Sequence, residues 1–345
     1  MSSLSDPTTP PRRAGRTLQL ARFATAFAWS VSSRVLSASS ARGITNRFNM
    51  DAWQPLLSAL FLLFLLAVGF RFLEIIARRP ASSRSVLGLP QRSTSGREWL
   101  IGAALGWGMV ILAVMPMVLA GGLHISFWTE PGTMRLIAIN LLTIAAQTLA
   151  VEVIFRGYAF RCLIEVIGPV GATLGMSIIF AFAQVLINGA TSTGIFIAVL
   201  MGILFSVAWL RTHALWLAWG MHFAWTASMG MLFGLPVSGK IDSSVLVQTI
   251  ASGRRWLTGG DYGPEGARFT ALALLAGLIV LVRVTREYAW NYTHTPIVAG
   301  GYAMEAQPPA AHVAMEQSQQ SQPPALVQIL PSAPQGRSAG DPPEV

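Results

Sequence analysis

The stretch 134-MRLIAINLLTIAAQTLAVEVIFRGY-158 decides the fold. It is apolar all round rather than along one stripe, which suits a helix in lipid. It exceeds the roughly 20 residues a helix needs to cross a hydrocarbon core. Yet it carries Glu152 and Arg156 near its end. An ionisable side chain at the bilayer centre costs on the order of 2.5–3.5 kcal/mol by insertion scales, so each asks for a role. Four residues apart, carboxylate first, the two are placed to pair on one helical face. In a low dielectric the pair costs less than either charge alone. Taken by themselves, Glu152 and Arg156 read as a structural ion pair.

The rest of the chain agrees with a membrane setting. Its 345 residues are 53% hydrophobic and 11% charged, against roughly 25% charged in a soluble domain. The net charge of +9 is almost all arginine, Lys240 being the only lysine. The arginines sit in the N-terminal arm and between apolar runs, not in a stripe interleaved with aromatics, so nucleic acid is not an expected partner. Cys162, the only cysteine, excludes an intrachain disulfide and a multi-cysteine metal site.

Apolar runs fall at 53–73, 99–121, 134–158, 169–188, 193–210, 214–234 and 268–285. They predict an all-α, polytopic bundle of about seven to eight transmembrane helices in a cell membrane, with the lipid bilayer as its first partner. Residues 51–290 form this membrane domain, its core at about 134–234. Residues 1–50 read as a basic, Ser/Arg-rich arm, disordered or lying on the membrane surface, with an apolar core at 18–37 too short to span. Met50, directly before the first apolar run, is an alternative start. Residues 291–345, rich in Pro, Gln and Ala, lack the apolar content to fold and are expected to be disordered. Arg78, Arg79, Arg84, Arg92 and Arg97 crowd the first loop, and alternation puts Arg211, Arg283 and Arg286 on that same side, the cytoplasmic one. The N-terminal arm then falls outside, against its own seven arginines, unless it is absent or adds a further membrane element.

Known intramembrane protease designs can be tested on the residues. There is no H-E-x-x-H pair for zinc, and no buried aspartate dyad, since Asp6, Asp51, Asp242, Asp261 and Asp341 all fall outside the spans or at their edges. Ser177 and Ser206 pair with His222 only on paper, and helix packing is their simpler role. Asn140 reads as an interhelical hydrogen bond, Gly202 and Gly220 as close-approach positions. Trp99, Trp216 and Trp219 read as interfacial anchors. The 257-LTGGDYGPEG-266 stretch is a turn-rich loop in which Glu265 serves a cap or turn, with contact to a site mouth as the alternative.

Five short stretches, in order, carry a resemblance: 151-VEVIFRGY-158, 180-FAFAQ-184, 202-GILFSVAWLRTHALW-216, 215-LWLAWGMHFAWT-226 and 257-LTGGDYGPEG-266. Over about 85–290 the sequence resembles the CPBP family (CAAX prenyl proteases and bacteriocin-processing enzymes, also called Abi), a family of intramembrane endopeptidases. The resemblance implies that a first-motif glutamate and a second-motif histidine activate a water, while a third-motif histidine and asparagine stabilise the oxyanion. Carried over by position, the water-activating glutamate falls on Val151, the second-motif histidine on Gln184 and the asparagine on Thr226. The third-motif histidine is kept as His222, and the supporting glutamate and arginine as Glu152 and Arg156.

The resemblance therefore implies a CAAX-protease-like membrane protein with impaired or lost hydrolysis, a pseudoenzyme binding a peptide or membrane partner. Its rivals are an active endopeptidase cleaving C-terminal, prenylated or plain peptides, with Glu152 and His222 as catalytic residues, and a transporter-like or scaffold protein. Internal repeats and broken helices would mark a transporter, and no clear repeat is seen. No metal ligand set stands out. A divalent metal is implied only by the metalloprotease label of the family. Gln147, one turn before Val151, and Gln184 together suit a neutral polar pocket.

Overall fold

The computed structural model describes residues 15–77, 86–127, 132–188, 191–240 and 246–286, and two short strands at 297–298 and 301–302. One unit comprises Met1–Tyr292 and a second Thr293–Val345. Of the second, only the antiparallel strand pair Ile297–Val298 and Gly301–Tyr302 is described. The rest of the tail expected to be disordered, and residues 1–14 of the arm, lie outside the described residues.

The first unit is built from helices α1 (Arg16–Phe48), α2 (Gln54–Ile76), α3 (Ser95–Leu119), α4 (Thr133–Arg156), α5 (Tyr158–Asn188), α6 (Ser192–Thr212), α7 (Trp216–Ala227), the single turn α8 (Arg255–Thr258) and α9 (Arg268–Val284). Strand β1 (Leu123–Phe127) pairs antiparallel with β2 (Val247–Ala251), Ile125 opposite Thr249. This is an all-α membrane bundle. Asp51–Ile76, Ser95–Leu119, Thr133–Gln184 and Ser192–Thr212 are long and apolar enough to cross a bilayer, and the third of these contains two helices. The spans expected at 214–234 and 268–285 are helical but shorter: 12 residues of α7 run into a five-residue π-helix, Ser228–Leu232, and α9 has 17 residues. Phe64, Phe72, Leu100, Ile178, Phe182 and Ile279 are 61–64% exposed, an outer surface that only lipid can cover favourably.

Breaks in the helices follow the glycines and prolines. Gly157 ends α4 with φ −83° and ψ −129°, and a Cβ there would stand 2.2 Å from the Val153 carbonyl oxygen. Tyr158 then opens α5, buried and stacked on Phe70 at 5.6 Å. Within α5, Gly168 takes φ 78° and Pro169 follows. Proline lacks the N–H needed to continue the ladder, so the second arm of α5 starts where the apolar run at 169–188 does.

Contacts at the two ends of the bundle agree with the alternation read from the arginines. At one end Leu215 N–H donates to the Gly88 carbonyl, Arg92 to the Thr212 carbonyl at 2.7 Å, and Arg211 to Thr285 at 3.1 Å. At the other end β1 pairs with β2. The arm is the surprise. Its helix α1 packs along α2 and α5 through a stripe of small and polar residues, Ala26, Ser30, Ser33, Ser37, Ala41 and Thr45. Gln19 near its start donates to Glu165, while Arg161 pairs with Glu74 at 4.0 Å at that same end. Helix α1 therefore begins at the arginine-rich end with Arg16 and Arg22, and carries Arg42 and Arg47 toward the other end.

Glycine sets the position of α7. A Cβ on Gly102 of α3 would stand 2.1 Å from the Leu217 carbonyl, one on Gly106 2.3 Å from the Met221 carbonyl, and one on Gly220 2.1 Å from the Trp99 carbonyl. The two backbones touch, as small-xxx-small pairs allow. We expect Gly106→Leu to lower stability by about 1–3 kcal/mol, the usual cost of overpacking, while Gly108→Leu, whose Cβ meets open space, stays near wild type in detergent melts. Equal melting of the two variants would contradict the packing.

Candidate active site

Glu152 and Arg156 are both 0% exposed. Arg156 Nη1 lies 3.6 Å from Glu152 Oε1, and its Nη2 donates to the Gly202 carbonyl at 3.1 Å. Its guanidinium sits 4.9 Å from the Phe180 ring, 5.4 Å from Phe205 and 5.7 Å from Phe155. A cation held over aromatic faces gains on the order of 0.5–2 kcal/mol per desolvated contact. The charge thus has a cage as well as a counter-ion. The ion pair read from sequence is present.

The pair has a third member. His222 Nδ1 stands 2.7 Å from the same Glu152 Oε1, and the imidazole stacks on Phe205 at 4.9 Å and 18°. Helix α4 supplies the carboxylate, α7 the imidazole, and α6 both the ring beneath it and the carbonyl that holds Arg156. Glycine at 202 is required here: a Cβ would meet Ser177 of α5 at 2.7 Å. A carboxylate that accepts from one imidazole nitrogen fixes the ring and leaves the other nitrogen for a ligand.

His222 also lines a cavity of about 200 Å3. Val151, Gln184 and Thr226, the positions singled out beside it, line the same cavity, as does Gln147 one turn before Val151. Four positions from three helices therefore converge. Glu152 does not reach this space: fully buried and about 100° from Val151 around the helix, it acts on the cavity only through His222. Ser177 and Ser206 donate to the Thr173 and Gly202 carbonyls of their own helices and line no part of the cavity.

The loop residues contribute more than the sequence suggested. Glu265, expected to cap or brace a turn, is buried and lines the cavity. It accepts from Trp225 Nε1 at 2.8 Å and from the Ser238 hydroxyl. Tyr262 and Ser238 line the cavity too, with Arg34 of α1 and Lys240. Burial, with Glu265 adding to it, pushes the Tyr262 hydroxyl up to about 12, so the phenol is neutral across the physiological range. Glycines fix this loop: Gly259 and Gly263 take φ 78° and 81°, and a Cβ on Gly263 would meet the Pro236 carbonyl at 2.1 Å. A carboxylate buried in a glycine-rich turn was the available signal, but its partner Trp225 lies 40 residues away. The tryptophans expected at the interface are tied inward: Trp216 donates to the Pro90 carbonyl and Trp219 to Ala145, against which Trp99 adds an edge contact to Trp219 at 5.9 Å.

The donors present do not fit a metal. Among the described residues no three of His, Cys, Asp and Glu come together as ligands. Glu152 already serves Arg156 and His222, and Glu265 serves Trp225 and Ser238. Removing Glu152 should be costly because it leaves Arg156 buried without its counter-ion. We expect Glu152→Gln to destabilise by about 3–5 kcal/mol. The pair Glu152→Leu with Arg156→Met should cost less than the sum of its two single changes, read by denaturation in detergent. Simple additivity would show that the two charges are not coupled.

Comparison with known proteins bears on this segment. No curated protein and no solved structure matches the chain. Residues 133–228 match a family model described as type II CAAX prenyl endopeptidase Rce1-like. The matched segment runs from the start of α4 to just past Thr226 and contains Val151, Glu152, Arg156, Gln184 and His222. The resemblance read from the motifs is borne out over that segment, and the chain is a multi-pass membrane protein that is CAAX-protease-like there.

Proposed function

We propose that this protein binds the end of a peptide or protein chain in the cavity lined by Val151, Gln184 and His222 and hydrolyses it poorly or not at all. One observation carries the reading. Val151 and Gln184 line the cavity beside His222, at the places where the family resemblance puts the water-activating carboxylate and imidazole. An isopropyl group accepts no proton. A carboxamide holds a water by hydrogen bonds but does not exchange a proton near pH 7. Thr226 retains a hydroxyl donor, so oxyanion stabilisation is the least altered function. General acid–base catalysis supplies typically 10²–10⁴-fold, and this is the contribution the cavity lacks. What remains (two amides, a hydroxyl and an oriented imidazole between aromatic walls) suits recognition of a peptide backbone.

A second reading has its own support in the 2.7 Å contact between Glu152 and His222. With Nδ1 donating to Glu152, Nε2 carries a lone pair that can accept a proton. In this reading His222 takes a proton from a water, and slow hydrolysis survives by a route different from that of the family.

Both readings are separated by turnover of a quenched peptide library in detergent. Restoring Val151→Glu with Gln184→His should raise cleavage by about 10²–10⁴, with Thr226→Asn adding less. A wild type that already cleaves as fast as the restored variant would contradict the impaired reading. Residual wild-type cleavage that is lost in His222→Ala would support the His222 route, and residual cleavage indifferent to that change would eliminate it.

A further inference from the structure

Two cavities share one wall. Arg34, Gln147, Val151 and Lys240 line both the cavity described above and a neighbouring one of about 250 Å3. The second is walled by Ser37 and Ala38 of α1, by Ser58, Ala59 and Leu62 of α2, and by Ala150 of α4. It thus opens between the α1–α2 pair and the helix that carries the family motif. Arg34 and Lys240 both lie outside the matched segment 133–228, so nothing in the family reading accounts for them.

The charges at this rim are unbalanced. Arg34 and Lys240 are exposed, and among the described residues neither makes an ion pair. Two like charges at one rim repel, more strongly where the dielectric is low. Arg34 lies at the middle of α1 beside the apolar residues Val31 and Val35, which are 54% and 63% exposed, and apolar surroundings raise the cost of a cation without a counter-ion. Both facts call for an anion between the two side chains. The small and apolar walls from Ala38, Ala59 and Leu62 accept a hydrocarbon chain attached to it.

We propose that this rim binds the phosphate of an anionic phospholipid, held by Arg34 and Lys240, with an acyl chain lying between the α1–α2 pair and α4. The amide of Gln147 lies in the shared wall and offers a further donor. Because Gln147 and Val151 face both cavities, the head group stands at the entrance of the peptide cavity and governs access to it. This site is independent of whether the protein hydrolyses anything.

The test measures binding of the detergent-purified full chain to vesicles of phosphatidylcholine alone and of phosphatidylcholine mixed with phosphatidylglycerol. We expect preference for the mixed vesicles, and a loss of about fivefold in that preference for each of Arg34→Gln and Lys240→Gln. Arg42→Gln on the same helix, exposed and outside both cavities, should leave it unchanged. Melting temperatures of the three variants confirm that each is folded. Glycerol phosphate without an acyl chain should compete weakly, since the chain contributes to binding, whereas full competition by it would reduce the site to a free-phosphate site and overturn the lipid assignment. Equal binding to both vesicles, an equal loss in Arg42→Gln, or retention in the double variant Arg34→Gln with Lys240→Gln would also overturn the proposal. A peptide carboxylate that displaces the phosphatidylglycerol preference at the rim while the lipid leaves melting unchanged would assign the cations to a peptide instead.

Discussion

The hydrogen bond between Glu152 and His222, with Arg156 held behind it, is the constraint on which the rest of the interior depends. Three groups able to carry charge are brought into an apolar bundle, and each meets the need of another. Arg156 is bound by a carboxylate, a carbonyl and three aromatic rings. The carboxylate is shared with an imidazole, and the imidazole is stacked on Phe205. Breaking such a network by removing one member leaves an uncompensated charge, so α4, α6 and α7 cannot shift independently. The glycine contacts between α3 and α7 impose the same fixity from the other side.

Fixity of this kind is what a site needs, and in the proposed reading it serves binding rather than proton transfer. Val151 and Gln184 line the cavity wall in front of that network. Ser238, Tyr262 and Glu265 close the cavity, the last held by Trp225 from the helix that bears His222. A rigid, partly polar, aromatic-walled space with an oriented imidazole is consistent with selective binding. In the second reading, hydrolysis in it runs through His222, which lines it.

Much of this was legible in the sequence for plain reasons. Lipid makes hydrophobicity a direct signal, so the apolar runs at 53–73, 99–121, 134–158 and 193–210 coincide with helices. Gly157, Gly168 and Pro169 mark the breaks because backbone geometry leaves few other residues there. Val151, Gln184, His222 and Thr226 were placed together by motif order, and they line one cavity. Other features depend on contacts that no local pattern encodes. Helix α1 buries serine, threonine and alanine rather than large apolar residues, so hydropathy left it as an arm. The β1–β2 ribbon joins segments more than a hundred residues apart. Glu152 showed its local partner, Arg156, four residues on, but not His222 seventy residues away. Glu265 looked like a loop residue because its partner Trp225 lies on a helix 40 residues away.

The most direct test of the account is a single-turnover experiment. The purified wild-type protein, in excess over a labelled peptide that it retains in detergent, is quenched at successive times and the peptide is weighed by mass spectrometry. The account predicts a peptide that stays bound and intact over times in which the Val151→Glu, Gln184→His variant converts it fully. Rapid, complete cleavage by the wild type would contradict it, because a cavity walled by valine and glutamine would then be supplying the proton transfer that its chemistry denies.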